Sequence, residues 1–489
     1  MKINIFRHNI NLNKIFKNKF ICKTVFNLNK INKNNIFDIT AFLLSICFAI
    51  LGSIISLNRF WQYDIWYYDF GIFDQAIWRA AQFKAPIIDH FRVSGKWIWA
   101  DHFNPSIFLF SIIYLFTDKS QALLIAHNIV IGLSGFVLYL IGRKFLGRLA
   151  SIIVLTAYFL YYGLQNAAYH GFQDVTVMTL FLSLTYYFIV NKKAFFYWIF
   201  FIITLGFKET LAFLGIGISI FIFLYNPKWK KIAVLSFFYS VFYGLITTKL
   251  IIPYFSSGHY YYLEEYSINT TFIRLWQKII DKQVLINLFW NMASFFFLPL
   301  LQLKLLPIIF LDIVVRSLSD RYILGLHYNA EIAPTLFMST VFALNNIKKT
   351  FNYQTMCLSV MCLFITSVVL FRFILHGPFL LAFNPVFYKH KYNFEYLEEP
   401  ISLIPKNAKV AAQHNLTSRF FHQEVFILRP GWESFDPDFI LFDLREGQNP
   451  NNFLGLDFEK KDQFFETILK NPNYKVIYQK NNVYVLKRK

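Results

Sequence analysis

The sequence predicts an all-α polytopic membrane protein of about eleven transmembrane helices, followed by a small C-terminal α/β domain. Of the 489 residues, 56% are hydrophobic and 16% are charged, and the mean hydropathy is +0.42. A soluble chain carries about 25% charged residues. Apolar runs long enough to cross roughly 30 Å of hydrocarbon recur between Phe37 and Leu375. Beyond residue 375 the apolar runs shorten to strand length, which indicates a separate domain.

The positive charge predicts an orientation in the membrane. The net charge of +20 is spread over the N-terminus, the short loops and the tail, and residues 1–36 hold eight Lys or Arg residues. By the positive-inside rule, this basic N-terminus is cytoplasmic. The chain carries no zinc-finger or other nucleic-acid motif, and its four Cys match neither a zinc site nor a disulfide framework. We therefore expect no nucleic-acid partner.

The topology depends on the apolar segment 105–116, which is short for a crossing and favours a re-entrant or interfacial helix. If this segment is not counted as a span, every short basic loop lies on the cytoplasmic side. Nearly all unusual polar residues then lie on the extracytoplasmic side. The run 37–57 is too long for a signal-peptide core and predicts an uncleaved first span. The predicted spans are residues 37–57, 121–141, 149–164, 175–190, 194–207, 210–225, 232–252, 284–302, 305–316, 330–345 and 353–375.

Three regions follow: a basic cytoplasmic N-terminus (1–36), a transmembrane domain (37–375) and an extracytoplasmic α/β domain (376–489). In the last region, short apolar runs predict buried strands, and residues 474–479 and 483–487 predict a hairpin. The other predicted strands are residues 408–413, 425–428 and 439–444. Residues 457–469 alternate charged and apolar side chains, as an amphipathic helix does. We therefore expect a multi-pass protein of the cytoplasmic membrane.

Two carboxylates stand out in the first loop on the extracytoplasmic side. Phe70, Phe73 and Ile77 share a helical face, which predicts an amphipathic helix along the membrane surface. Asp69, at its start, is either a helix N-cap or a carboxylate placed as a base or metal ligand. Asp74 lies five residues on, about 140° around a helix. The two should therefore face different sites unless the first turn is irregular.

His102 and His170 lie near predicted membrane boundaries on the same side. His102 precedes Asn104 and Pro105, which start a new element. It is either an interfacial histidine or a ligand for a phosphate or hydroxyl group. His170 and Asp174 are four residues apart and share a face if helical, as a structural pair or as part of a site.

Lys208 and Glu209 lie between two apolar spans, where ionisable groups are costly and mark a site or a structural pair. Adjacent residues do not share a helix face, so each needs a partner elsewhere. For Lys208 the alternatives are Asp69, Asp74 and a substrate phosphate. For Glu209 the alternative partners are a bound ligand and an arginine.

Three further candidates are Arg321, His327 and Tyr328. Arg321 either clamps a phosphate or pairs with Asp320. Residues 260–266 are aromatic and acidic. Aromatic residues are common at the membrane interface, which accounts for this segment; the alternative is that the tyrosines stack on a carbohydrate. Weaker candidates are His259 and Arg274. The interiors of the predicted spans are almost free of charge; the exception is Asp312, with Arg316 four residues on, spaced for a pair.

Taken together, these features resemble the GT-C superfamily of integral-membrane glycosyltransferases and, within it, a family of uncharacterised predicted membrane proteins. The resemblance rests mainly on residues 68–78, which read Tyr-Asp-Phe-Gly-Ile-Phe-Asp-Gln-Ala-Ile-Trp. Residues 102–105, His170, 208–209, 327–328 and 404–408 add to it. GT-C enzymes keep an acidic residue in the first outer loop, a position that Asp69 fills here, with Asp74 as the second choice. The loop lacks an Asp-x-Asp or Asp-Glu pair, so the cofactor is unknown and a divalent metal stays open.

The resemblance implies transfer of a sugar from a polyprenyl-phosphate donor to a glycan, lipid or protein acceptor. We expect an inverting reaction in which Asp69 deprotonates the acceptor, and Lys208 and Arg321 stabilise the departing lipid phosphate. His102, His170 or His327 would orient this phosphate. The alternatives are a non-catalytic scaffold or receptor, and a lipid or solute transporter. A transporter needs charges along a path through the membrane, and the predicted spans carry almost none.

Overall fold

The computed structural model describes residues 33–90, 95–262, 272–318, 324–389, 395–456 and 458–489. It is mostly helical and carries a small sheet near the C-terminus. The prediction of a helical protein with a small C-terminal sheet is therefore confirmed. The helices are α1 Lys33–Trp61, α2 Ile72–Ala81, α3 Gln121–Leu146, α4 Arg148–Leu160, α5 Tyr162–His170, α6 Asp174–Val190, α7 Ala194–Leu205, α8 Leu211–Tyr225, α9 Lys230–Ile246, α10 Ile252–Phe255, α11 Phe272–Ile279, α12 Lys282–Ala293, α13 Leu306–Leu318, α14 Ala333–Thr350, α15 Tyr353–Val369, α16 Glu395–Ser402 and α17 Lys461–Leu469.

Four helical stretches in the described residues are long and apolar enough to cross a membrane by themselves. They are Asn35–Trp61, Gln121–Leu146, Pro227–Phe255 and Tyr353–Ile374. A fifth candidate is the pair α4 and α5, which bends by 48° at Tyr161. The helices α7 and α8 extend only about 18 Å and about 23 Å at 1.5 Å per residue. The predicted count of eleven spans is therefore not confirmed.

The long helices α1 and α3 pack closely against each other. A side chain at Gly132 of α3 would come within 2.5 Å of the backbone oxygen of Ser45, so only glycine permits this approach. At one end of the pair, Asp38 lies 2.9 Å from Arg143 and accepts a hydrogen bond from Tyr139. The other end of the bundle carries the α/β domain, and we call it the domain end.

The loop between α1 and α3 covers the domain end. It contains a π-helical turn (Tyr67–Gly71), α2, the two-stranded pair β1 Ile87–Ile88 and β2 Lys96–Trp97, and a 3-10 helix (Pro105–Leu115). The 3-10 helix extends about 22 Å at 2.0 Å per residue, too short for a crossing, as the sequence predicts. Helix α2 forms where predicted, but it does not lie on the lipid: Asp74 and Gln75 are buried like its apolar residues.

The C-terminal sheet has the strand order β4-β3-β5-β7-β6. Strand β3 (Val410–Ala412) is parallel to β4 (Val425–Ile427) and to β5 (Phe439–Asp443). Strand β7 (Val483–Arg488) is antiparallel to β5 and to β6 (Tyr474–Lys480). All five strands coincide with segments predicted as strands.

A buried ion pair fastens the α/β domain to the first loop. Asp89 accepts two hydrogen bonds of 2.7 Å from the guanidinium of Arg429 and one of 2.8 Å from the backbone of Ile427. The guanidinium of Arg419 lies 3.9 Å from the ring of Tyr63 at the end of α1. Because such charges are costly to bury unpaired, these contacts hold the domain in one position.

Candidate functional site

A cavity of about 370 Å³ opens between α8, α9 and α13. Its walls are apolar, and its polar end lies at the domain end of the helices. The walls include Ala212, Phe213, Ile216, Val241, Leu245 and Val315. The polar end holds His102, Lys208, Glu209, Tyr260, Tyr262, Arg316, Tyr328 and Glu331. A cavity of this kind suits an amphiphile with an apolar tail and a polar head group.

The turn between α7 and α8 builds the polar end. Gly206 ends α7, and its carbonyl accepts a 2.9 Å hydrogen bond from the backbone of Ser106. A side chain at Gly206 would lie 2.3 Å from the Ser106 hydroxyl, so any larger residue would push this hydroxyl aside. The contact docks the start of the 3-10 helix on the turn and brings His102 beside Glu209.

Glu209 is a carboxylate held by three donors. It accepts hydrogen bonds from His102 Nδ1 at 2.8 Å, the backbone of Phe103 at 3.0 Å and the hydroxyl of Tyr260 at 2.7 Å. Burial would raise the pKa of Glu209, but His102, Lys208 and Tyr260 lower it to about 2. Glu209 is therefore ionised and positions its neighbours.

A second carboxylate, Asp101, lies behind His102. The His102 ring stacks on Tyr262 at 4.7 Å, and the Tyr262 hydroxyl donates a 2.9 Å hydrogen bond to Asp101. Burial would raise the pKa of Asp101, but His102 and His90 outweigh it, and the pKa is lowered. The orientation of His102 is thus fixed on two sides.

Lys208 is a buried ammonium group whose hydrogen bonds are not satisfied. It is 7% exposed, and its Nζ lies 4.0 Å from Asp174 Oδ2, beyond hydrogen-bond distance. The structure gives Nζ no hydrogen bond among the described residues. Asp174 Oδ1 accepts from the backbone of Val175, and its Oδ2 accepts no hydrogen bond from the described groups. A buried ammonium with spare donors is suited to an anion.

Arg316 and Glu331 complete the polar end, and they differ in their partners. Arg316 donates to Asp312 at 3.0 Å and to Asn329 at 2.7 Å, so the predicted Asp312–Arg316 pair forms. Glu331 lines the cavity, and within the described chain its carboxylate makes no hydrogen bond. Burial and Asp312 raise the pKa of Glu331 to about 7, against Arg316 and Lys208.

Asp69 lies in the π-helical turn, next to this polar end. Its backbone oxygen accepts a hydrogen bond from Gln173, whose neighbour Asp174 faces Lys208. The structure gives the Asp69 carboxylate no hydrogen bond with the described groups. Burial raises the pKa of Asp69, with Arg59 opposing. A carboxylate with a raised pKa and free lone pairs is suited to accept a proton.

Asp74 has a different environment. It is fully buried and accepts hydrogen bonds from Tyr114, from Ser120 at 2.6 Å and from His422 Nε2, which lies at 3.1 Å. These groups belong to the first loop and to the α/β domain. Asp69 and Asp74 thus face different partners, as their spacing predicts, and Asp74 joins two parts of the fold.

The two remaining histidines lie beside the cavity. His170 ends α5, and its Nε2 lies 3.0 Å from the carbonyl oxygen of Gly325. Its ring is 6.0 Å from that of His327, which packs at 4.1 Å on Tyr328 of the cavity wall. Gly171, at φ +85°, ends the helix, so His170 and Asp174 do not share a face. Asp320 and Arg321 lie outside the described residues, as does the side chain of Arg274.

The described residues contain no group of three or more His, Cys, Asp or Glu placed to hold a metal ion. The sequence analysis did not single out Glu331 or Asn329. A single acid at the start of a predicted span is a signal that points to Glu331, because ionisable groups at such positions are costly.

The chain matches the family described as "Predicted membrane protein (DUF2079)" over residues 59–485. The chain belongs to this family. No curated protein matches it. Among solved structures, apo ArnT from Cupriavidus metallidurans is similar at a TM-score of 0.50 and 12% identity, over 91% of this chain and 97% of ArnT. ArnT from the same organism bound to undecaprenyl phosphate has the same identity and coverage, with a TM-score of 0.47.

ArnT is a GT-C glycosyltransferase, and the likeness to its apo form shows the fold of this DUF2079 member. The resemblance drawn from residues 68–78 and the other segments is confirmed at the level of family and fold. The chain is a multi-pass membrane protein with a GT-C-like fold.

Proposed function

We propose that this protein is a membrane glycosyltransferase that transfers a sugar from a polyprenyl-phosphate donor to a hydroxyl-bearing acceptor. The observation that carries this proposal is the cavity between α8, α9 and α13. Its apolar walls suit an isoprenoid chain, and Lys208 at its polar end has donors left for a phosphate. ArnT, which shares the fold, has been solved with undecaprenyl phosphate, and we extend that class of ligand to this chain as part of the proposal.

In the proposed reaction, the acceptor hydroxyl attacks the anomeric carbon from the side opposite the phosphate. The bond between the anomeric carbon and the phosphate oxygen breaks, and its electron pair leaves with the lipid phosphate. Asp69 takes the proton of the acceptor hydroxyl, which fits its raised pKa and its unbonded carboxylate. Lys208 stabilises the charge on the departing phosphate, with Arg321 as a second candidate.

The other residues hold this arrangement in place. Glu209 fixes His102 and Tyr260 at the rim of the cavity, where His102 can meet the phosphate. Tyr328 lines the cavity, with His327 and then His170 packed behind it, and we propose that these three residues contact the sugar or phosphate. Asp74 becomes a positioning residue, because three donors occupy it.

We propose that the domain end faces the extracytoplasmic side of the cytoplasmic membrane. In this orientation the basic residues Arg143, Lys144 and Arg148 at the opposite end lie in the cytoplasm, with the N-terminus. The α/β domain then covers the site on the side from which a glycan, lipid or protein acceptor arrives.

The test uses full-length protein in lipid nanodiscs with a panel of radiolabelled polyprenyl-phosphate sugars. We expect Asp69→Asn to lower turnover about 10²–10⁴-fold while the donor still binds, because the base is lost. Lys208→Met should weaken donor binding about 10–100-fold, the equivalent of one charge-assisted hydrogen bond. Asp462→Asn, the same change on a side chain 71% exposed, is the matched control.

Equal turnover by the wild type and Asp69→Asn would reject Asp69 as the base. If no polyprenyl phosphate binds and no donor is turned over, the transferase proposal itself is wrong. Such a result would support the scaffold and transporter alternatives.

A further inference from the structure

Among the described residues, Glu209 and Glu331 line the polar end of the cavity with Lys208 and Arg316, and two further carboxylates, Asp174 and Asp312, lie behind these cations. Lys208 and Arg316 are the cations around Glu331, and Glu209, Asp174 and Asp312 are the other carboxylates nearby. With all six ionised, the net charge is −2, and a bound phosphodiester would make it −3. Even a protonated His102 would leave an excess of negative charge. Neutralising one of these carboxylates therefore favours the binding of an anion at this end of the cavity.

The hydrogen bonds identify the neutral carboxylate. Glu209 has three donors, Asp312 pairs with Arg316, and Asp174 accepts from a backbone amide and faces Lys208. Among these carboxylates, only Glu331 has no donor in the part of the chain that the structure describes. An ionised Glu331 would be a partly buried charge with no hydrogen-bond donor among the described residues, which is the costliest state of the four.

We propose that Glu331 is a phosphate-binding residue in its protonated form, so that the site takes up one proton when the anionic donor binds. This inference rests on the proposed function, because the ligand is the phosphodiester of a polyprenyl-phosphate sugar. A protonated carboxyl group has one O–H donor and donates it to a phosphate oxygen. Lys208, 93% buried in the same cavity, offers its N–H donors to the same group.

The environment of Glu331 agrees with this assignment from every side that packs on it. Asp312 on α13 and Asp174 on α6 favour the protonated form, and Arg316 on α13 and Lys208 on the α7–α8 turn oppose it. Burial and the two aspartates outweigh the two cations and raise the pKa of Glu331 to about 7. A phosphate monoanion close to the carboxyl raises this pKa further, and this coupling is the source of the proton uptake.

The experiment measures proton uptake by calorimetry. A polyprenyl methyl phosphodiester is titrated into the full chain in nanodiscs, in two buffers of different ionisation enthalpy. This probe keeps one negative charge between pH 5 and 9, so it takes up no proton itself. For the wild type at pH 8 we expect an uptake close to one proton, and an affinity that falls by up to tenfold per pH unit above pH 7.

Glu331→Gln keeps the size and a neutral donor but cannot titrate. We expect it to bind without proton uptake, with an affinity that does not change between pH 6 and 9. Glu331→Asp should keep the proton uptake with a weaker affinity. Glu433→Gln, on an exposed side chain, should behave as the wild type.

Wild-type binding without proton uptake would overturn the inference and leave the proposed function standing. The same uptake in Glu331→Gln would also overturn it, because another group would then be the acceptor. If the wild type does not bind the probe at any pH, the proposed function fails. Should Glu331→Gln not fold, the proton count of the wild type and of Glu331→Asp decides.

Discussion

At the scale of single residues, Lys208 and Glu209 are neighbours in the chain with opposite environments. Glu209 is satisfied by three donors, whereas the ammonium of Lys208 has an ion-pair partner at 4.0 Å and no described hydrogen-bond acceptor. The difference separates their roles: Glu209 fixes the shape of the site, and Lys208 has donors left for a ligand. Substitutions at the two positions should therefore differ in what they damage.

Glu209→Gln should lower the stability of the fold before it affects any chemistry. The amide cannot accept from all three donors, and each buried donor left unsatisfied costs about 1–3 kcal/mol. We expect a lower melting temperature in detergent, measured by the fluorescence of the tryptophans. Glu433→Gln, the same change on an exposed side chain, should leave it unchanged; equal stability of both variants would contradict this reading.

The residue types of the site could be anticipated, but their partners could not. Charges beside apolar spans, such as Lys208, are costly, and for that reason they stand out in a sequence. The partner of His102 is 107 residues away and that of Asp89 is 340 residues away, and no spacing rule reaches so far. For Glu331 the signal was present in the sequence, an acid at the start of a predicted span, but no neighbouring charge or motif drew attention to it.

At the scale of elements, the contact between the π-helical turn and the α/β domain depends on one glycine. A side chain at Gly71 would lie 2.4 Å from the ring of Phe421. Its φ of −65° suits any residue, so space alone selects glycine here. The ring of Phe421 also packs on Phe70 at 5.7 Å. Displacing the Phe421 ring would therefore loosen the contact between the α/β domain and the π-helical turn that contains Asp69.

Gly71→Ala should therefore weaken the docking of the α/β domain by about 1–3 kcal/mol, as overpacking does. Limited proteolysis with trypsin checks this: cleavage after the exposed Lys389 should become faster. Gly325→Ala is the control, since no described atom lies within 4 Å of its added carbon. Unchanged cleavage in Gly71→Ala would show that Phe421 moves aside at little cost.

Elements that a local pattern defines were predicted well. The five strands of the C-terminal sheet follow from short apolar runs, and the segment 105–116 proved too short to cross. The bend of 48° at Tyr161 was not predicted; at this bend the Tyr161 hydroxyl donates to Asn291, 130 residues further on, a contact that no local pattern announces. The number of spans was not obtained either, because α7 and α8 are shorter than the membrane is thick.

At the scale of the whole molecule, His422 connects the α/β domain to the first loop. Its Nε2 lies 3.1 Å from Asp74, its Nδ1 lies 3.0 Å from Asp118, and its ring stacks on Trp78. Burial would lower the pKa of His422, but the two carboxylates outweigh it, and the pKa is raised. Ser120 and Tyr114 also face the ring and do not change charge at neutral pH.

This raised pKa predicts that docking weakens with increasing pH. The contribution of His422 is complete below its undocked pKa of about 6.5 and is lost as the pH rises through the docked value. Hydrogen exchange of α2, corrected for the intrinsic rate, should therefore be faster at pH 9 than at pH 6. In His422→Gln the exchange should not depend on pH, and a wild type that is equally insensitive would contradict the prediction.

The order of the strands has a consequence for how the protein is made. Strand β7 follows β6 in the chain but lies between β5 and β6, so the sheet closes only after its last strand has been synthesised. Asp89 leaves the ribosome 340 residues before its partner Arg429. During that interval the first loop waits without its cover while the later helices are inserted. Asp89 and the part of the first loop around it thus reach their final environment only after the later helices have been made.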